Sequence, residues 1–152
     1  MEQKTKINAE DGKQELMITR EFDLPLELLF RAYVEPEIVE QWMGTKVLKL
    51  DNKKHGGWQF ETTDAKGNKY GFNGVIHEFI SNQKITRTFE MENMSFGVQL
   101  EFLEFEKLTD NSSKLTMHIV YRSAAHRDQM LKMGMTQGIN MAHNRLQSIV
   151  YK

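Results

Sequence analysis

Cysteine is absent from the 152 residues, proline occurs twice, and neither charge predominates: 20 Lys+Arg face 21 Asp+Glu, for a formal net charge of −1. The missing thiol excludes disulfide scaffolds, thiolate zinc sites and cysteine nucleophiles. Near-neutral charge provides no broad attraction for phosphate backbones or anionic membranes, so nucleic acid is not an expected partner. No run approaches the roughly 20 apolar residues that span a bilayer, and the polar start from Met1 to Lys6 lacks the apolar stretch of a signal peptide. No membrane insertion and a cytoplasmic location are expected. What the chain has in quantity is methionine, 10 residues, beside 9 Phe, 4 Tyr and 2 Trp, a mixture suited to an adaptable apolar interior. One domain over residues 1–152 is expected, large enough for a sizeable core or an internal cavity.

Residues 1–13 are polar, carry the turn signal Asp11-Gly12 and read as a frayed lead-in. Leu16, Ile18 and Phe22 then share one parity, with Arg20 among them, which predicts a strand over 14–22. Pro25 opens a helix carrying Leu26, Leu29, Phe30 and Tyr33 at helical spacing; Pro36 interrupts it and opens a second short helix through Ile38, Val39 and Trp42 toward Gly44. Alternating patterns separated by hairpin-length turns predict strands at about 45–51, 56–63, 69–79, 83–91, 96–107 and 113–122. Within 96–107, Val98, Leu100 and Phe102 share a parity and Leu103 and Phe105 take the other, which predicts a β-bulge near Phe102. Leu131, Met135, Ile139, Ala142, Leu146 and Ile149 form a stripe that predicts one helix from about Ala125 to Tyr151, roughly 40 Å long. The whole reads as an α+β chain, a curved antiparallel sheet wrapped around a long C-terminal helix, with two short helices after the first strand.

Several strings point to a family. Ile18 to Pro25, Leu29 to Tyr33 and Glu35 to Gly44, followed by His55 to Phe60, Gly74 to Phe79, and Gly134 to Gly138 with Asn144 to Gln147, resemble the SRPBCC (START-like) superfamily. More narrowly they resemble its AHSA1-like branch, named for the C-terminal domain of the Hsp90 ATPase activator. The resemblance covers about residues 14–150. It implies the helix-grip fold and a deep, mostly apolar cavity between sheet and terminal helix, used across the superfamily for hydrophobic molecules. It implies no reaction, because fold does not fix function. Met43 stands where relatives often carry a second aromatic, which implies a wider or softer pocket mouth.

Read one by one, the candidate residues carry two meanings each. Met130, Met133, Met135 and Met141 crowd the terminal helix, as core filling or as a pliable wall for varied ligands, with Met135 squarely on the apolar stripe. Gly134 and Gly138, four apart, face inward and provide either close approach to the sheet or room for a ligand. Trp42, Trp58 and Phe60 fall where the cavity mouth lies in the resembling fold, and Phe72 and Phe89 join them as candidate ligand contacts with Leu131 and Ile139. Gly56-Gly57 read as a turn, since neither a P-loop nor a dinucleotide fingerprint surrounds them.

Arg87 shares parity with Ile85, Phe89 and Met91; if that parity faces inward, the guanidinium demands a carboxylate, Glu78 being one candidate, or a ligand carboxylate, phenolate or phosphate. Glu101, Glu104 and Glu106 read as a solvated strand face. His55, His77, His118, His126 and His143 are scattered without metal-ligand spacing, so no metal and no cofactor are expected, and no G-x-S-x-G string marks a serine nucleophile. His77 or His118 remains a proton-carrier candidate.

Three functions compete at this level. The first is non-covalent, non-catalytic binding of a hydrophobic or amphipathic small molecule between sheet and helix. The second is a protein-interaction module that stimulates an Hsp90-type chaperone ATPase, a stress-response role that the branch name implies. The third is a cavity enzyme of cyclase or hydrolase type using Arg87 and His77. The sequence leaves monomer and homodimer equally open.

Overall fold

The computed structural model describes residues 5–92, 94 and 97–149. Its elements run β1 (Lys6–Asn8), β2 (Glu15–Phe22), α1 (Leu26–Val34), α2 (Pro36–Met43), β3 (Lys46–Leu50), β4 (Gly57–Thr63), β5 (Lys69–Ile80), β6 (Lys84–Met91), β7 (Val98–Thr109), β8 (Ser112–Val120), α3 (Ala124–Lys132) and α4 (Met135–Gln147). Among the described residues the strands form one eight-stranded sheet in the order β1-β2-β8-β7-β6-β5-β4-β3, antiparallel throughout. Strands β3 to β8 follow one another as hairpins, and only β2 joins out of sequence, beside β8, after the chain has crossed through α1 and α2. This is the α+β helix-grip architecture.

Alternation decides which face of each strand meets the helices. Leu16, Ile18, Arg20 and Phe22 point inward from β2, and Leu115, Met117 and Ile119 from β8. Pro36 sits at the first turn of α2, where its missing N–H leaves no bond unmade, and Gly44 ends that helix at φ 63°, a left-handed value that glycine adopts without penalty. Leu29, Phe30, Ala32 and Tyr33 of α1 are buried against the sheet, and the Ser113 hydroxyl donates to the Leu24 carbonyl at 2.7 Å to hold the entry to that helix.

Three expectations are corrected. Residues Lys6–Asn8 are not frayed: they pair with β2, Ile7 opposite Ile18. No bulge occurs near Phe102; Gln99, Glu101, Leu103 and Phe105 hold one inward parity along β7, and Leu100 and Phe102 belong to the opposite face. The sheet's irregularities fall instead between Val47 and Lys49, Ile76 and Glu78, and Lys107 and Thr109. The terminal helix is two helices, not one, because Gly134 takes φ 82° and Met133 closes α3 with a bond to Met130. The expected end of that helix at residue 151 lies outside the described residues.

Candidate functional site

A cavity of about 300 Å³ lies between the concave sheet face and α4, with α2 and α3 at its margins. That volume falls at the lower bound of pockets that hold small organic ligands. Its floor is aromatic. Trp58 and Phe60, two apart on β4, point inward, and their partners across β5 are Gly74 and Phe72. A side chain at position 74 is impossible: its Cβ would stand 1.9 Å from the Thr88 carbonyl oxygen and 2.6 Å from the Trp58 indole nitrogen. Glycine there lets Trp58 reach across β5 and donate to the Thr88 carbonyl at 3.1 Å. Phe89 then stands 5.8 Å from Trp58 and 5.5 Å from Phe72, centroid to centroid, completing a tilted aromatic wall.

The roof comes from α4, where Met135, Gly138, Ile139, Ala142 and His143 recur at helical spacing along one stripe. A Cβ added to Gly138 would meet nothing within 4 Å. The Tyr121 hydroxyl donates to the Met135 sulfur at 3.2 Å and holds that thioether against the cavity. Met43, Met117 and Met130 add three more flexible apolar side chains to the lining. Arg145 donates from Nε to the Trp42 carbonyl at 2.9 Å, and Trp42 donates from its indole to the Ala32 carbonyl, so α2 and α4 are tied together at one side of the opening.

One cluster breaks the apolar lining. Arg87 and Glu101 are direct cross-strand partners on β6 and β7, and Arg87 Nε donates to Glu101 Oε1 at 3.0 Å with both side chains more than nine-tenths buried. Gln99 donates from Nε2 to Glu101 Oε2 at 3.0 Å, and the guanidinium carbon lies 4.8 Å from the centroid of the Trp58 ring. A buried ion pair of this kind is tolerated only when hydrogen bonds satisfy the carboxylate, and both Glu101 oxygens are used here. Tyr33 lines the cavity as well; burial raises its phenol pKa, opposed by Arg87 and reinforced by Glu101, and keeps it an O–H group. At the far side the Thr5 hydroxyl stands 2.7 Å from His143 Nδ1, while burial first and Arg20 second lower the His143 pKa to about 4. That imidazole is neutral at pH 7.

Of the residues singled out in the sequence, Trp42, Trp58, Phe60, Phe72, Arg87, Phe89, Met135, Gly138 and Ile139 line this cavity. Leu131 packs half-buried against the core and Gly134 caps α4, neither reaching the cavity. Met133 and Met141 are exposed, so the pliable wall is Met130 and Met135 with two methionines from other elements. Glu78 is not the partner of Arg87; beyond the irregularity at Ile76/Glu78 it pairs with Lys84 and Thr86. His77 is exposed beside His55, rings 6.3 Å apart, so it does not join Arg87 in one site. His118 pairs with Glu15 on the outward parity of β8. Glu101 leaves the solvated face assigned to it and becomes the centre of the buried cluster. Gln99, Glu101 and His143 are site residues that the sequence reading missed. For Glu101 a signal was available: it stands two and four positions before Leu103 and Phe105. Among the described residues no group of three His, Asp or Glu side chains is arranged to hold a metal ion.

Comparison with known proteins bears on this geometry. The family model described as activator of Hsp90 ATPase homolog 1-like protein matches residues 23–151. None of the curated proteins matches the chain. Among solved structures, a protein from Mycobacterium smegmatis superposes with a TM-score of 0.87 at 21% identity, covering 97% of each chain. A protein from Arthrobacter aurescens gives 0.84 at 16% identity, covering 93% of this chain and 88% of its own. An HSP90 activator from Plasmodium falciparum gives 0.65 at 21% identity, covering 86% and 92%. At such identities the likeness concerns the fold.

Proposed function

This chain belongs to the family of activator of Hsp90 ATPase homolog 1-like proteins, and from that premise we propose that its cavity binds a hydrophobic or amphipathic small molecule without covalent chemistry. The observation that carries this reading is the space itself: about 300 Å³ kept open between aromatic and methionine walls where a helix and a sheet would otherwise close on each other. An unfilled apolar volume of that size forfeits dispersion contacts on every side, and a ligand restores them. The apolar residues that line the space, Trp58 and Phe60 from β4 and Met135 and Ile139 from α4, would hold the ligand body, with Arg87, Gln99 and Tyr33 near its polar group.

Native mass spectrometry of the purified chain, with organic extraction of whatever travels with it, tests the reading. The expected result is a one-to-one complex whose ligand is lost in Gly138→Leu, a change that projects a side chain into the open volume while leaving the circular dichroism spectrum intact. A chain that carries nothing and shows no saturable uptake from a panel of hydrophobic compounds overturns it.

A second reading is stimulation of an Hsp90-type chaperone ATPase, favoured by the family's description and by the likeness to the Plasmodium falciparum HSP90 activator. Titration of the chain into such an ATPase separates the two. A rise in turnover that persists in Gly138→Leu supports an external docking role, and an unchanged rate removes it.

A further inference from the structure

The polar end of the cavity has a charge balance that narrows the ligand further than its apolar walls do. Among the described residues its charged lining side chains are Arg87 and Glu101, which neutralise one another at 3.0 Å. The remaining titratable groups that face the space, Tyr33 and His143, are held in their uncharged forms by burial. Hydrogen-bonding capacity is not balanced in the same way. Both carboxylate oxygens of Glu101 are engaged, one by Arg87 Nε and the other by Gln99 Nε2. Arg87 donates to the carboxylate only through Nε, so its two terminal nitrogens, four N–H groups in a side chain 8% exposed, are left facing the cavity without an acceptor among the described residues. The site therefore carries surplus donors and no surplus positive charge.

We infer that the cavity selects an uncharged ligand bearing a hydrogen-bond acceptor, such as a carbonyl or ether oxygen on an aromatic or alicyclic body, and that Glu101 is the residue that turns anions away. This rests on the small-molecule reading above. An acceptor oxygen placed at the Arg87 terminal nitrogens gives those donors a partner that the described residues do not supply. A carboxylate placed there would satisfy them too, but it would bring a second negative charge beside Glu101, among mostly apolar side chains, with one cation between the two. The Trp58 ring under the guanidinium strengthens the selection by holding Arg87 in place, so that it cannot swing away from Glu101 to follow an anionic head. Selectivity here comes from a repulsive element as much as from an attractive one.

A matched pair of probes reads this directly: methyl naphthyl ketone and the naphthoate of the same substitution, equal in shape and different in charge at neutral pH. Equilibrium dialysis against the full chain should show the ketone bound at least about tenfold more tightly than the naphthoate. In Glu101→Gln, which keeps the shape and removes the charge, the preference should fall by about tenfold or reverse, because Arg87 is then unbalanced. Arg87→Gln is the complementary variant, in which naphthoate binding weakens further. Naphthoate binding to the native chain as tightly as the ketone overturns the inference even if neither variant folds, and so does a ratio unmoved by Glu101→Gln in a folded variant. If neither probe binds and no uncharged aromatic compound binds either, the small-molecule reading falls and the selectivity falls with it.

Discussion

The two ends of the concave sheet face present the same inward alternation and come to opposite results. Under α1, Phe30 meets Phe105 at 5.0 Å and Phe79 at 5.6 Å, Tyr33 meets Phe105 at 5.4 Å, and Leu103 and Leu115 beside them are fully buried. Under α4 the sheet offers rings just as large, Trp58, Phe60, Phe72 and Phe89, and they line an open volume. The difference lies in the helices. α1 sends Leu29, Phe30 and Tyr33 down onto β7 and β8 and packs directly against both strands, whereas the close backbone contacts of α4 run to α2 and α3. Where α4 faces the sheet it presents Gly138 and Ala142 beside Met135 and Ile139. Small residues on one helix therefore make the cavity, and large ones on another make the core, over a sheet that does not distinguish them.

Truncation should break the symmetry most sharply. Phe30→Ala at the packed end is expected to cost about 3–5 kcal/mol in urea unfolding, the range for losing a buried ring with its contacts. Phe72→Ala at the hollow end should cost about 1–2 kcal/mol, because part of that ring already lacks neighbours. Equal losses would mean that the hollow end is packed in solution. Next in size is the buried ion pair. Glu101→Ala leaves Arg87 uncompensated and should destabilise by on the order of 3 kcal/mol, whereas the double change Arg87→Met with Glu101→Met should recover most of that loss. A double variant no more stable than Glu101→Ala would show that the pair stabilises the fold by its hydrogen bonds and not only by cancelling its own charges.

Most of the element order was readable in the sequence because those elements carry their own periods, but β1 read as a frayed lead-in and α3 with α4 as one helix. Pro25, Pro36 and Gly44 bracket the two short helices, and alternation marks the strands to within about two residues. What escaped was anything that depends on two elements together. Glu101 is charged and follows Leu100, so it reads as solvated despite its parity with Leu103 and Phe105; the Arg87 it faces on β6 is what makes a buried carboxylate tolerable there. Reading Leu100 and Phe102 as inward then forced a bulge that the sheet does not contain. The apolar stripe from Leu131 to Ile149 is real, but a stripe records which side is buried and not whether the backbone runs through without a break. On the site, the large rings and Gly138 were legible as bulk and as a missing side chain. His143 was not, since its neutrality depends on burial and on Arg20 from a strand more than a hundred residues earlier.

His143 marks the seam between the two ends, touching Phe22 on one side and Trp42 on the other, with ring centroids 5.5 and 6.5 Å away. Its folded pKa of about 4 lies below the ordinary histidine value of 6.5, so between those values the unfolded chain takes up the proton that the folded chain refuses. Stability therefore falls as pH falls through that window. Lowering the pH from 7 to 5 should cost about 2 kcal/mol through this group, and a His143→Gln variant should lose that part of the slope in paired denaturation curves. A slope unchanged in the variant would mean that the imidazole is solvated and that the seam is open to water.

The smallest effect tests the two glycines that look equivalent in the sequence. Gly138 lies inside α4 with open space before it, so Gly138→Ala should stabilise the chain by about 1 kcal/mol through helix propensity alone. Gly134 holds φ at 82° between α3 and α4, a region in which a Cβ is strained, so Gly134→Ala should destabilise by about 1 kcal/mol or more. Opposite signs in thermal unfolding would separate a glycine kept for the turn from one kept for the space. If both substitutions stabilise, α3 and α4 run on as one helix in solution. The hollow end would then be closed by a straight helix, and the position of Gly138 over the aromatic wall would shift with it.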